Sequence, residues 1–184
     1  MSGDRAVSTI SGVRFGAVDR HVDSRGSFRE LWRADDSLPF VQANLSSSAS
    51  GVLRGLHLHR RQVDYWVVAS GRAFLALVDI RSMLEGIART PGVETRVLEA
   101  DDWVVIPEGV AHGFLALEPL DLLYLVTNLY DGTDELGFAW DDPLAAVPWP
   151  VPVGNGIGEP VVSERDATNP PLTELVGRLR EDAT

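Results

Sequence analysis

The sequence predicts an all-β sandwich or barrel built as a single domain. Many short apolar segments follow one another at close spacing, and Gly, Pro, Asp or Asn bounds nearly every one of them. Helical periodicity is almost absent before residue 171. The chain has 184 residues and no cysteine, so it can bury a full core but cannot form disulfides or thiolate metal sites. We expect one domain over residues 1–184, with its core at about residues 10–171.

The strand candidates run through most of the chain. They are residues 10–18, 27–32, 39–45, 51–59, 65–69, 72–80, 93–99, 103–106, 112–117 and 122–128. Residues 72–80 are apolar on both faces, which predicts a buried central strand. Residues 21–26 and 46–51 are interpreted as a turn and a loop, and residues 82–90 as a short helical turn.

The C-terminal tail has a different pattern. Residues 147–158 are rich in Pro and Gly and predict irregular structure. Residues 171–182 place Leu172, Leu175, Val176 and Leu179 on one side of a helix. The sequence therefore predicts one short amphipathic helix after the β domain.

Composition narrows the possible partners and location. A net charge of −11 argues against binding to long nucleic acid, although local arginines can still form a pocket for a small phosphorylated ligand. No apolar run reaches the roughly 18 residues that a membrane span needs. The N-terminus lacks the apolar stretch of a signal peptide. We therefore expect a cytoplasmic protein that binds neither nucleic acid nor membrane.

The segment from Gly51 to His59 contains two of the four histidines of the chain. His57 and His59 are two residues apart on a predicted strand, so their side chains point to the same face. Arg54, Arg60 and Arg61 lie nearby in an otherwise acidic sequence. This pattern indicates a strand that lines a site for chemistry or for ligand binding.

Two motifs together resemble the signatures of the cupin superfamily of double-stranded β-helix or jelly-roll barrels. The first is His57-x-His59-x4-Asp64-x6-Gly71, and the second is Pro107-Glu-Gly-Val-Ala-His112. In metal cupins these positions hold a metal, so the resemblance implies His57, His59, Asp64 and His112 as candidate ligands for one divalent transition metal. The alternative for His112 is a hydrogen-bonded histidine at the rim of the barrel.

A longer series of motifs resembles the dTDP-4-dehydrorhamnose 3,5-epimerase family. In chain order they are Asp23-Ser-Arg-Gly-Ser-Phe-Arg-Glu30, Phe40-Val-Gln-Ala-Asn-Leu-Ser46, Val52-Leu-Arg-Gly-Leu-His57, Val78-Asp-Ile-Arg81, Ile106-Pro-Glu-Gly-Val-Ala-His-Gly-Phe114, Tyr124, Tyr130, Trp140-Asp-Asp-Pro143, Trp149-Pro150 and Ser163-Glu-Arg-Asp166. The resemblance covers about residues 10–171. It implies an isomerase of deoxysugar biosynthesis that moves a proton at carbon 3, carbon 5 or both of a nucleotide-linked 4-keto-6-deoxy sugar.

The resemblance also implies roles for particular residues. His57 matches the family's base, Asp166 the carboxylate that orients it, and Tyr124 the acid that returns a proton on the opposite face. The positions expected to bind substrate are Arg25, Glu30, Gln42, Asn44, Arg54, His59, His112 and Tyr130. Outside this frame, Tyr124 is better interpreted as a structural tyrosine whose hydroxyl is bound to the backbone, and Arg25 is interpreted equally well as a solvated surface charge.

Two residues depart from the family pattern. Gln is usual at the position of His59, and a Lys thought to stabilise the enolate is usual at the position of Asp64. A Lys-to-Asp change reverses the charge where negative charge develops, at a cost on the order of several kcal/mol in the transition state. Two hypotheses stay open, namely a metal that replaces the lost cation and simple drift at both positions.

Three functions remain in competition at this point. The favoured one is a cofactor-free epimerase, which the family resemblance implies is a homodimer that exchanges N-terminal strands. The second is a metal-dependent cupin with isomerase, cyclase or oxygenase chemistry at His57, His59, Asp64 and His112. The third, a sugar-nucleotide-binding protein without turnover, is disfavoured by the intact set of His57, Tyr124 and Asp166.

Overall fold

The computed structural model describes residues 7–34, 38–130, 132–150 and 159–182. The strands found there are β1 Arg14–Ala17, β2 Arg20–Asp23, β3 Gly26–Arg29, β4 Gln42–Ser48, β5 Leu53–Leu58, β6 Asp64–Ser70, β7 Arg72–Asp79, β8 Gly92–Glu99, β9 Asp102–Ile106, β10 Val110–Ala116, β11 Leu120–Val126 and β12 Leu136–Gly137. The helices are α1 Arg81–Leu84, α2 Glu164–Ala167 and α3 Leu172–Glu181.

The strands form two five-stranded sheets. The first sheet has the order β1-β9-β6-β11-β4, and the second has the order β12-β5-β10-β7-β8. Neighbouring strands in both sheets are antiparallel. Strands β2 and β3 pair with each other in a separate hairpin. This arrangement confirms the predicted all-β, cupin-type jelly roll.

The main hydrophobic core lies between the two sheets. Strand β7 shows how the sequence builds it, because its apolar residues alternate between two environments. Leu75 and Leu77 pack into the core shared with Trp66 and Leu122 of the first sheet. Ala76 and Val78 belong to a second cluster on the other side of their sheet. The prediction of a central strand buried on both faces is therefore confirmed.

Helix α3 covers the outer face of the second sheet. Its four predicted apolar residues are all buried, and they pack in one cluster with Leu58 of β5 and Phe138. Burying each such side chain contributes roughly 1.5–3 kcal/mol of hydrophobic stabilisation. The helix holds one face of the strand that carries His57, which leaves the opposite face of that strand to line the site.

The structure differs from the predicted elements at several places, among them strand β12, which was not predicted. The predicted turn at residues 21–26 includes β2 and the tight turn of the β2–β3 hairpin. Strand β4 continues to Ser48 because its serines pair with β11, so they need no apolar side chains to stay in the sheet. Helix α2 was not predicted. Of the irregular segment at residues 147–158, positions 151–158 lie outside the described residues.

Across the described part of the chain, no helix combines the length and the apolar character required to span a membrane.

Candidate active site

A cavity of about 410 Å³ opens between the two sheets, and side chains from both of them line it. The first sheet contributes Gln42, Asn44, Asp64, Trp66, Leu122, Tyr124 and Val126. The second sheet contributes Arg54, His57, His112 and Phe114. The wall also includes Ser46, His59, Gln62, Tyr130, Glu135, Ser163, Arg165 and Asp166. The mixture of aromatic, cationic and titratable groups is typical of a small-molecule site.

His57 is hydrogen-bonded to Asp166. Its Nε2 lies 2.7 Å from Oδ1 of the carboxylate, whose other oxygen accepts the backbone N–H of Gly55 at 3.1 Å. Because an ionised carboxylate can only accept, Nε2 carries the proton. The nitrogen left to take a proton from a ligand is therefore Nδ1. This is the arrangement that a histidine base needs.

Local backbone structure brings Asp166 to strand β5. Val161 exchanges backbone hydrogen bonds with Gly51 and Leu53 at 2.9 Å each, which ties the segment before α2 to the start of β5. Ser163 then caps α2 by accepting the N–H of Asp166 at 3.1 Å. The capped start of α2 therefore places the carboxylate of Asp166 next to His57.

The charge on Asp166 is favoured despite its burial. Burial alone raises the pKa of this carboxyl group, but hydrogen bonding and charge attraction from His57 together with the Gly55 N–H outweigh it. The net effect is a pKa below the usual value of an aspartate. Asp166 is therefore ionised at neutral pH and accepts the hydrogen bond of His57.

Two glycines let strands β5 and β10 approach closely beside the base. Gly55 has a positive φ of 124°, and a Cβ there would lie 2.6 Å from Cα of Gly113. A Cβ on Gly113 would in turn lie 2.7 Å from the carbonyl oxygen of Arg54. The Arg-Gly-Leu-His sequence therefore needs glycine at its second position for steric reasons.

Tyr124 reaches the cavity from the opposite sheet. It lies on β11 between Trp66 of β6 and Asn44 of β4. Burial raises the pKa of its hydroxyl, and the charge of Asp64 adds to the effect against a weaker opposing influence of Arg54. Tyr124 is accordingly a protonated hydroxyl at neutral pH, positioned to act as an acid.

The polar residues predicted to bind substrate lie around these two groups. Gln42 donates to Asn44 at 2.9 Å and accepts the backbone N–H of Tyr130 at 3.1 Å, so the three form one connected edge of the cavity. Arg54 is held by the hydroxyl of Ser48 at 3.1 Å. A guanidinium anchored in this way can bind phosphate or sugar oxygens in the cavity.

A second group of titratable residues lies beside Tyr124. One ligand atom from each of His59, Asp64 and His112 falls within 4.8 Å of the other two. His112 Nε2 lies 3.5 Å from Asp64 Oδ2, and both residues are only 4% exposed. Of the four ligands that the cupin motifs imply, the structure therefore brings three together. His57 is not part of this group, and its Nε2 is hydrogen-bonded to Asp166.

The ring of His112 is almost completely buried. Burial is the main cause that lowers its pKa to about 4, and nearby His59 and His57 lower it further. Asp64 and the carbonyl oxygen of Val110 oppose this effect without cancelling it. His112 is therefore a neutral imidazole at physiological pH.

Two predicted binding residues lie away from the cavity of their own chain. Arg25 pairs with Asp23 in the β2–β3 hairpin, and Glu30 pairs with Arg33 after it. Neither lines the cavity. Their assignment as substrate-binding residues remains a prediction that requires another copy of the chain.

The site also contains residues that the sequence did not single out. Asp134 accepts the backbone N–H groups of Arg60 and Arg61 at 3.0 Å each, and its own carbonyl oxygen accepts from His59. Glu135 pairs with Arg165, whose neighbour in the chain is Asp166. A signal existed for the second region, because Ser163-x-x-Asp166 has the spacing of a helix N-terminal cap. Asp134 acts largely through backbone contacts and has no such signal.

Comparison with known proteins identifies the family. The family model described as dTDP-4-dehydrorhamnose 3,5-epimerase matches residues 8–174. A dTDP-4-dehydrorhamnose 3,5-epimerase of Mycobacterium tuberculosis is 37% identical over 169 residues, covering 84% of this chain and 80% of that protein.

Two solved structures have the same fold over nearly their full length. The epimerase RmlC of Legionella pneumophila, in complex with dTDP-4-keto-L-rhamnose, superposes with a TM-score of 0.79 at 29% identity and 94% coverage of both chains. ChmJ of Streptomyces bikiniensis, a 3′-monoepimerase in complex with dTDP-quinovose, gives a TM-score of 0.79 at 26% identity, covering 96% of this chain and 95% of that one. The chain belongs to the dTDP-4-dehydrorhamnose 3,5-epimerase family, a family of isomerases.

Proposed function

We propose that this protein epimerises a nucleotide-linked 4-keto-6-deoxy sugar at carbon 3, carbon 5 or both. The observation that carries the proposal is the placement of two proton-transfer groups on facing sheets. His57, hydrogen-bonded to Asp166 of α2, is on the second sheet, and Tyr124 is on the first. Inversion at a carbon requires removal of a proton from one face and its return on the other, which this arrangement can perform.

The chemistry follows from the ketone at carbon 4. It acidifies the neighbouring C–H groups because the carbanion formed there delocalises as an enolate. Nδ1 of His57 takes the proton, and the resulting imidazolium is stabilised by ionised Asp166. Tyr124 then donates its hydroxyl proton to the opposite face. General acid and base catalysis of this kind is worth about 10²–10⁴-fold in rate, and these proton transfers use no redox cofactor.

The substrate class rests on the binding residues and on the relatives. Arg54, Gln42 and Asn44 offer a cation and amide groups along one side of the cavity. The Legionella pneumophila and Streptomyces bikiniensis structures hold dTDP-linked sugars. We therefore propose a dTDP-sugar as the ligand of this site.

We further propose that the active form is a homodimer in which the β2–β3 hairpin of each copy completes the other's site. The hairpin is paired to neither five-stranded sheet. It exposes Val22 by 74% and Phe28 by 68%, an apolar surface that a second copy would cover. The same association would bring Arg25 and Glu30 to a cavity they do not reach in their own chain. Sedimentation of wild type and Phe28→Ser tests it, because a wild-type monomer would contradict the proposal.

The direct test of the activity is proton exchange. We expect dTDP-4-keto-6-deoxyglucose incubated with the protein in D2O to gain deuterium at carbon 3, carbon 5 or both, as read by NMR and mass spectrometry. His57→Asn should abolish the exchange, whereas Arg89→Asn, at an exposed position outside both the cavity and the β2–β3 hairpin, should retain it. No exchange at either carbon, in a protein that binds dTDP by calorimetry, would favour a binding protein without turnover.

A metal-dependent reaction other than epimerisation is the second candidate, and the group of His59, Asp64 and His112 is the observation that favours it. This alternative predicts a stoichiometric metal together with the absence of deuterium exchange.

A further inference from the structure

We propose that His59, Asp64 and His112 form a binding site for one divalent first-row transition-metal ion, open on the side of the sugar cavity. One ligand atom from each lies within 4.8 Å of the others, and all three residues line the cavity. Metal binding stands on these residues alone. The role of the ion in the reaction rests on the proposed function.

The hydrogen bonds of the two histidines fix which nitrogen faces the group. Nδ1 of His59 lies 2.8 Å from the carbonyl oxygen of Asp134, and Nδ1 of His112 lies 3.1 Å from that of Val110. A carbonyl oxygen can only accept, so each Nδ1 carries a proton. Each Nε2 of a neutral ring is then an unprotonated lone pair. A backbone carbonyl behind the ring is the usual support of a metal-binding histidine.

Hydrogen bonds also fix the orientation of the Asp64 carboxylate. Gln62 donates to its Oδ1 at 2.7 Å, and the indole N–H of Trp66 donates to its Oδ2 at 3.1 Å. Each carboxylate oxygen keeps a lone pair after these bonds. Nε2 of His112 is 3.5 Å from Oδ2, so two acceptors face each other in a buried place without a hydrogen between them. A cation at this point removes that conflict.

The separation of His112 from Asp64 agrees with a small ion, and the ligand atom of His59 lies within 4.8 Å of both. Metal bonds of about 2.0–2.2 Å place the ligand atoms of a tetrahedral site about 3.4 Å apart, which is close to the distance between His112 and Asp64. Two imidazoles and one carboxylate suit Zn, Fe, Co, Ni or Mn better than Ca or Mg. Three protein ligands leave a position for water or substrate, as in catalytic rather than structural sites.

The position of the site gives the ion a use in the proposed reaction. Asp64 is close enough to Tyr124 for its charge to raise the tyrosine pKa, so an uncompensated carboxylate lies beside the acid of the reaction. A bound divalent ion supplies positive charge and Lewis acidity at this wall of the cavity.

The test measures metal directly. The wild-type protein is prepared without a histidine tag, stripped of metal with chelator and dialysed. It is then titrated with Co²⁺, and binding is followed by visible absorption. Mass spectrometry confirms the metal content. We expect one ion per chain. His59→Gln and Asp64→Asn should weaken binding by more than about 100-fold, since loss of an outer partner alone costs 10–100-fold.

Three controls establish that the ion binds at this group and nowhere else on the protein. His21→Gln removes an exposed histidine of the β2–β3 hairpin, which is not in the group, and should bind Co²⁺ as wild type does. His57→Asn should also keep the metal while losing proton exchange, because His57 is not in the group. Thermal unfolding in chelator shows whether Asp64→Asn folds, and His59→Gln at the half-buried rim provides a second variant if it does not.

The possible outcomes distinguish the two proposals. No stoichiometric Co²⁺ or Zn²⁺ in wild type, or binding that survives both His59→Gln and Asp64→Asn, overturns the metal site and leaves the exchange test intact. Metal without deuterium exchange keeps the site and refutes the epimerase.

Discussion

Asp166 and His57 lie 109 positions apart in the chain, yet the carboxylate Oδ1 is 2.7 Å from the imidazole Nε2. The same carboxylate accepts the backbone N–H of Gly55, two residues before the histidine. One buried side chain thus fixes both the ring of the base and the strand that carries it.

Replacement of Asp166 by asparagine should remove the charge while it keeps the size of the side chain. The amide can no longer stabilise an imidazolium, and it can hold the ring in the wrong tautomer. We expect the rate of deuterium exchange to fall about 10²–10⁴-fold with dTDP affinity little changed. Single-turnover exchange by NMR measures this effect. An equal loss in nucleotide binding would show that the residue supports the pocket rather than the base.

Tyr124→Phe should separate exchange from inversion. His57 can still remove a proton and return a deuteron on its own face, so deuterium should enter the substrate at a measurable rate. Reprotonation on the opposite face loses its donor, so formation of the inverted product should fall by at least about 10²-fold. NMR of one reaction gives both quantities. Equal reduction of the two would contradict the assignment of Tyr124 as the acid.

Acidification should destabilise the metal-free protein between about pH 6.5 and pH 4 through His112. Its pKa is lowered to about 4 by burial, with a smaller contribution from His59 and His57 against the opposing Asp64. In that range the unfolded chain binds more protons than the folded one, so the free energy of unfolding decreases as the pH falls. Urea unfolding in chelator across the range measures the slope.

The matched variants for that measurement are His112→Gln and His21→Gln. The first removes the buried ring and should flatten the slope. The second removes an exposed ring on β2 and should leave the slope as in wild type. A wild-type slope that persists in His112→Gln would refute the prediction.

Gly55→Ala should be more damaging than Gly26→Ala, although both glycines have positive φ angles, of 124° and 134°. A Cβ at position 26 meets nothing within 4 Å, whereas at position 55 it meets the backbone of Gly113 and His112 below 3 Å. We expect Gly55→Ala to cost about 1–3 kcal/mol more, the usual range for overpacking. Chemical denaturation of both variants measures the difference, and equal losses would show that only the backbone conformation matters.

Much of the fold was predictable because its signals are local. The apolar stretch of β7, the turn residues between strands and the helical spacing of α3 each appear in adjacent residues. The end of β4 was missed because Ser46, Ser47 and Ser48 have loop-like composition, and their pairing with β11 overrides it. Local propensity is weaker than the hydrogen bonds of a completed sheet.

The sequence predicted those parts of the site that are formed by side chains. His57, Tyr124, Gln42 and Arg54 meet in one cavity as the family resemblance implied. Asp134 was missed because its partners, the backbone N–H groups of Arg60 and Arg61 and the ring of His59, are 73 to 75 positions away and leave no mark on the sequence. The cytoplasmic location, the homodimer and the roles of Arg25 and Glu30 remain predictions.

The two proposed proton-transfer groups belong to different layers of the sandwich, and this has a consequence for stereochemistry. If His57 is the base and Tyr124 the acid, as proposed, an acidic carbon held between these opposing walls is subject to inversion. The choice between carbon 3 and carbon 5 then depends only on how the sugar ring is rotated in the cavity. Members of such a fold can acquire a new regiochemistry through changes in the binding residues, with both chemical groups left where they are.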